Sequence, residues 1–145
     1  LAQTVPRLLD TCRAAEMPIV HVRAKYDCPD QSPHVRFFKQ LNPEKPAEEV
    51  STEPEDWARE APGEPVVYKP TFDAFHDTTL HQDLRAMGVE RIYVCGLVTA
   101  ACVLNTCFGA FKRGYEVVVI GDCTGDRSRE QHDAVLAIYN GYTFV

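Results

Sequence analysis

No apolar run in the 145 residues approaches the roughly 20 that a membrane-crossing helix needs. Positive charge is scarce too: 15 Lys and Arg stand against 21 Asp and Glu, a formal net charge of −6. The acidic residues are scattered and leave no phosphate-binding face, so neither nucleic acid nor a membrane is an expected partner. There is no C-x-x-C pair, and the six cysteines stand singly at 12, 28, 95, 102, 107 and 123. The first residues do not read as a secretory leader. The expectation is therefore a cytoplasmic protein whose thiols are reduced and mostly buried, not a disulfide frame. The chain is too short for two cores, so residues 1–145 are expected to form a single domain. Internal repeats and low-complexity segments are absent.

What is present is alternation. Residues 1–17, "LAQTVPRLLDTCRAAEM", read as a helix with Leu1, Val5, Leu8, Leu9 and Cys12 on one stripe and Pro6 in the tolerant first turn. "PIVHVRA" (18–24) is a strand pattern. Residues 25–64 are irregular and rich in Pro, Asp and Glu, with Phe37, Phe38 and Trp57 embedded. "EPVVYK" (64–69) reads as a strand, "TTLHQDLRAMG" (78–88) as a helix closed by Gly88, and "ERIYVCGL" (90–97) as a strand. A helix follows over 100–113, stopped by Gly114, then the strand "YEVVVIGDC" (115–123). "SREQHDAVLAIYNG" (128–141) is a helix with Ser128 as N-cap and Gln131 at the capping-box position, and "YTFV" opens a last strand. Strand–helix alternation with unbroken Val/Ile runs predicts an α/β fold. Its form is a three-layer α-β-α sandwich around a mainly parallel, Rossmann-like sheet.

In such sheets, sites lie at the carboxyl ends of the strands. Lys69, Cys102 and Asp122 occupy three such positions. Lys69 precedes Pro70 and is held extended, which gives it a fixed direction. Cys102 opens a helix, where the positive end of the macrodipole favours thiolate and free N–H groups can hold an oxyanion. Thr99, Ala100 and Ala101 leave room for a ligand near the backbone. The plainer readings are a small core hydrophobe for Cys102 and a solvated strand-end cation for Lys69.

The blocks "GEPVVYKPTFDAFHDTTLHQDLRAMGVERIYVCG" and "GLVTAACVLNTCFGAFKRGYEVVVIGDCTGDRSREQHDAVL" resemble the isochorismatase-like cysteine hydrolases. The resemblance covers most of residues 1–24 and 63–145. It implies a parallel sheet of order 3-2-1-4-5-6 and a catalytic triad of Asp, Lys and Cys, with Cys102 as nucleophile and Lys69 as its cationic partner. It implies a cis peptide between Val98 and Thr99, with Val98, Thr99 and Ala101 forming an oxyanion hole together with the Cys102 N–H. The activity implied is hydrolysis of a small amide or related metabolite through a thioester, by a homo-oligomer without a cofactor. One departure is plain. The family's aspartate ends the first strand, and no matching block precedes the helix at residues 1–17. The expectation is an N-terminally incomplete domain whose first strand is missing. The alternative is a truncated, non-catalytic relative serving as a binding or oligomerisation module.

Five further residues are candidate substrate contacts: Arg23 at a strand end, and the aromatics Phe37, Trp57, Phe72 and Phe75; the plainer readings are a surface arginine and core aromatics. No metal is expected, because Pro29 interrupts the D-x-H pattern that would start at Asp27 and His34 is a loop histidine. His21 reads as a packed core histidine, His132 as a surface or locally bonded one, and Asp122 as structural. Cys95, Cys107 and Cys123 read as core.

Overall fold

The computed structural model describes residues 1–25, 33, 36, 37, 40, 43, 44 and 53–145. Helix α1 (Thr4–Ala14) buries Val5 and Leu9, one helical turn apart on the stripe that the sequence suggested. Strand β1 (His21–Ala24) lies parallel to β2 (Val66–Lys69), in step from His21 opposite Val66 to Ala24 opposite Lys69. β1 is shorter than the expected 18–24. The ladder opens where the His21 N–H donates to the Pro65 carbonyl, and Pro65 has no N–H with which to extend it upstream. Helix α2 (Leu80–Ala86) follows, and Gly88 takes a positive φ of 71° just beyond it.

Strand β3 (Arg91–Leu97) pairs in parallel with β4 (Glu116–Gly125). Arg91 faces Glu116 and Val94 faces Val119, after which the register breaks. β3 advances only from Val94 to Gly96 while β4 runs from Val119 to Thr124. Such a bulge bends a strand and re-aims the residues beyond it. β4 thus reaches Gly125, and Asp122 sits inside the strand rather than beyond its end. Between β3 and β4, the expected helix 100–113 is two pieces: a π-helical turn over Thr99–Val103, then α3 (Leu104–Phe111). Helix α4 (Arg129–Tyr139) begins at Ser128, whose hydroxyl accepts the Gln131 N–H at 3.2 Å. The Val145 N–H donates to the Val117 carbonyl, and the Val145 carbonyl accepts the Val119 N–H. These two bonds are the pattern of a parallel ladder against β4.

The pairs β1–β2 and β3–β4 are the neighbours that the order 3-2-1-4-5-6 contains apart from its first strand. Alternate residues of β3 and β4 feed opposite faces. Ile92, Val94, Val117 and Val119 join the larger core with Val67, Phe75, Leu80, Leu84, Val103, Cys107 and Ala110. Cys95 and Ile120 join a smaller one beneath α1, with Val5, Leu9 and Cys123. Helices on both faces of parallel strands make this an α/β sandwich.

Candidate active site

Lys69 ends β2, and the chain after it bends sharply enough to return two carbonyls to its own side chain. Nζ donates to the Thr71 carbonyl at 2.7 Å and to the Phe72 carbonyl at 3.1 Å, and its third bond, at 3.1 Å, goes to Cys102 Sγ. An ammonium has three donors, so this one is fully satisfied, and it needs to be, since Lys69 is only 5% exposed. The carbonyl cradle is fixed from α3. The Thr106 hydroxyl reaches the Phe72 carbonyl at 3.4 Å and accepts the Ala74 N–H at 3.1 Å. Further along, the Asp73 carboxylate accepts the Phe75 N–H at 2.8 Å and packs against the bare Cα of Gly109.

Cys102 is held by the π turn, in which the Val103 N–H reaches back five residues to the Val98 carbonyl at 3.2 Å. Turns of this width recur at functional sites. Two bonds from the segment after β4 grip the turn. The Ala100 N–H donates to Asp126 Oδ2 at 2.6 Å, and the Thr99 hydroxyl meets His132 Nδ1 at 2.8 Å. Asp126 Oδ1 also accepts the Arg127 N–H at 2.7 Å. Burial pushes Cys95 up to about 11 and Cys107 up to about 12, and it raises Cys123. These three are core thiols.

Several expected details change. The cis peptide joins Leu97 and Val98, one bond before the Val98–Thr99 position. The Ala101 N–H is not open to a ligand, because the wide turn directs it to the Val98 carbonyl at 3.1 Å. The Thr99 side chain faces His132, not a substrate. Arg23 is not an open cation: its Nη2 donates to the Ala58 carbonyl and to Glu60, both at 3.1 Å, and so ties down the short turn Asp56–Ala58. Trp57, inside that turn, packs with α1 in the smaller core. Phe75 is 3% exposed and stacks on Tyr115 in the larger core, with the Arg113 guanidinium over its ring. Phe37 is 66% exposed. Of the five candidate contacts, only Phe72 lies at the Lys69–Cys102 pair. Asp27, Cys28, His34 and Phe38 lie outside the described residues.

His132 is buried, not at the surface, and its partner is 33 residues away. Its stripe gave a signal: His132, Leu136 and Tyr139 share one helical face, and the latter two pack on the larger core. Nothing local marks Asp126, a carboxylate after a strand, and Thr106 reads only as part of the helix stripe with Cys102, Val103, Cys107 and Ala110. Among the described residues, no cluster of three His, Cys, Asp or Glu is placed to hold a metal ion, and no helix is long and apolar enough to cross a membrane. Concavities of about 280 and 490 Å³ lie away from the pair, one along Val119, Leu136 and Phe144, the other along Arg13, Pro62 and Met87. Neither contains Lys69 or Cys102, so the chemistry locates the site and cavity size does not.

Lys69 and Cys102 meet across two parallel strand pairs, and a cis bond precedes the turn that carries the cysteine. The family model described as "Isochorismatase domain" matches residues 1–144. The chain belongs to the isochorismatase family. An isochorismatase family protein from Desulfovibrio vulgaris superposes with a TM-score of 0.85 at 26% identity, over 99% of this chain and 77% of that one. Among curated relatives, the uncharacterized isochorismatase family protein YwoC of Bacillus subtilis is 36% identical over 64% of this chain and 53% of its own length. Nicotinamidase 3 of Arabidopsis thaliana is 28% identical over 88% of this chain and 65% of its own. The chain thus spans between half and two thirds of these two curated relatives. The isochorismatase match includes both Lys69 and Cys102.

Proposed function

We propose that this chain carries the nucleophile and cation of an isochorismatase-family hydrolase acting on a small amide. The 3.1 Å contact between Lys69 Nζ and Cys102 Sγ carries this reading. A buried ammonium is costly without a counter-charge, and the sulfur is the one group among its three bonded partners that can ionise. In the reaction the thiol gives up its proton and the sulfur acts beside the ammonium. The thiolate attacks the amide carbonyl carbon, and the C–N bond breaks as the amine leaves with the proton released from the thiol. Water then cleaves the thioester, giving the carboxylic acid and restoring the thiol. The nicotinamidase among the relatives supports an amide over other leaving groups. The thiol proton goes first to a carboxylate base, the third member of the triad that the resemblance implies. A cytoplasmic location and a homo-oligomer belong to the same reading, the latter because strands with an open edge favour association.

The second reading, a non-catalytic binding or oligomerisation module, draws on one observation. Among the described residues, no carboxylate bonds to Lys69 or Cys102. Ammonia release from a panel of small primary amides separates the two, combined with intact-mass detection of an acyl adduct. The expected result is turnover and an adduct that both vanish in Cys102→Ala. Turnover that survives in Cys102→Ala overturns the hydrolase mechanism. Absence of turnover and adduct across the panel favours the binding module.

A further inference from the structure

We propose that His132 is a positioning residue for Cys102, acting through the Thr99 hydroxyl. The proposal rests on the reading of Cys102 as nucleophile. Thr99 is 1% exposed and His132 8%, yet their bond joins α4 to the first residue of the π turn, three positions before the sulfur. The same segment delivers a second bond to the very next residue, from Asp126 to the Ala100 N–H. One stretch, 126–132, therefore grips two consecutive residues of the turn, one by its side chain and one by its backbone.

Two apolar side chains would fill this space with less desolvation cost than a hydroxyl and an imidazole. What the polar pair adds is direction: a hydrogen bond fixes rotation about the turn axis in a way that packing does not. That rotation sets where Cys102 Sγ points, and Sγ has to meet a Lys69 ammonium that is itself immobilised by two carbonyls. Lys69 cannot follow a displaced sulfur without abandoning its cradle. The Thr99–His132 bond thus matters to the dyad even though neither residue touches the reacting atoms.

Iodoacetamide labelling of Cys102 as a function of pH, read by peptide mapping, tests this alongside thermal melting. Thr99→Val exchanges a hydroxyl for a methyl and removes the bond at constant volume. His132→Asn places a polar atom where Nδ1 stands, and His132→Gln places one nearer the Nε2 position. The expected result is a roughly tenfold slower reaction at pH 7 in Thr99→Val and His132→Leu, with the pH of half-maximal rate raised by about one unit. The double variant is expected to be no slower than the slower single one, because both remove the same bond. Thr99→Ser and His132→Asn recover the rate, and His132→Gln does not. A Thr99→Val protein that melts lower but keeps the wild-type pH profile overturns the proposal, since the bond would then be only a fold pin. Equal rescue by His132→Gln overturns it as well. If His132→Leu does not fold, the isosteric Thr99→Val carries the test. Lys69→Met separates this failure from that of the underlying reading. An unchanged Cys102 profile in Lys69→Met removes the dyad, and the proposal with it. A changed profile there, with Thr99→Val unaffected, removes only the role of His132.

Discussion

The β1–β2 pair is four residues long and stays in step to its end, where Ala24 faces Lys69. The β3–β4 pair is longer and loses step after Val94. The site draws Lys69 from the first pair and Cys102 from the turn between the strands of the second. A straight strand suffices for Lys69, whose direction is set by the extended backbone before Pro70 and by the carbonyls that curl back to it. The cysteine needs more. A cysteine on a turn is free to rotate, and here the register break lets β4 run on to Gly125, so that the segment after it reaches Thr99 and Ala100. The regular pair delivers a charge, and the irregular pair aims a sulfur. No ladder bond joins the pairs among the described residues. Their connection runs through residues 69–75, which leave β2 and pack on α3.

The largest effect is therefore expected where that connection is tightest. A Cβ on Gly109 would stand 2.8 Å from Asp73 Cγ, and the Asp73 carboxylate is not free to swing away because it holds the Phe75 N–H. Gly109→Ala is expected to lower stability by about 1–3 kcal/mol, the usual range for an overpacked contact, and to slow Cys102 labelling as residues 69–75 shift. Asp73→Ala alone loses one hydrogen bond, about 1 kcal/mol. In the Gly109→Ala background it is expected to restore part of the melting temperature. Denaturant unfolding of the four proteins reads the coupling. Purely additive losses would show that the two residues do not collide.

Where the fold was legible, the signal was local. Apolar runs marked the strands, Gly88 and Gly114 take the positive φ values of 71° and 84° that stop helices, and Ser128 caps α4 as its spacing with Gln131 suggested. Lys69 at a strand end and Cys102 at a helix start stood out by position, with a plainer reading beside each, and it was the family resemblance that paired them. What failed was long-range or rotational. Arg23 was read by its place at a strand end, but nothing in "HVRA" says that residues 58–60 lie across it. For Trp57 and Phe75 a pocket and a core place both stood open, since apolarity does not say which face of a sheet a ring joins, and the core is where they lie. Asp126 and His132 do their work 26 and 33 residues from their partners. The cis bond was misplaced by a single residue, a distance that pattern matching around "GLVTAAC" does not resolve.

Each pair is also pinned at its opening end by an ion pair, and this sharpens the comparison. At the mouth of β1–β2, Glu64 is nearly buried. Arg13 holds it at 2.8 and 3.0 Å, His21 Nε2 lies at 2.7 Å, and the Ala61 N–H donates at 2.8 Å. The Arg13 guanidinium, above all, with help from the Ala61 N–H and His21, holds its carboxyl down at about 2 against an ordinary value of 4.5. In this window the unfolded chain binds a proton that the folded one does not. The cluster's contribution is therefore complete above pH 4.5 and is lost as pH falls from there toward 2. Glu64→Gln keeps the shape and removes the titration. It is expected to flatten the acid limb of stability against pH, with a smaller change at pH 7 than Gly109→Ala. An acid limb identical to that of the wild type would place the titrating group elsewhere.

At the mouth of β3–β4, the equivalent pin is Arg91 and Glu116, register partners whose charged atoms lie 2.5–2.7 Å apart. The geometry is as close as that at Glu64, but both side chains stand in water. The attraction is screened there, and ordering two long side chains offsets what remains. Arg91→Ala and Glu116→Gln are expected to leave the melting temperature and the Cys102 labelling rate within experimental scatter at 0.15 M salt. Raising the salt to 1 M is expected to change wild type and variants alike. A clear loss of stability in Arg91→Ala, abolished at high salt, would show that this exposed pair holds the register of β3–β4 as firmly as the Glu64 cluster holds β1–β2. Solvent exposure would then not be what separates the two strand pairs.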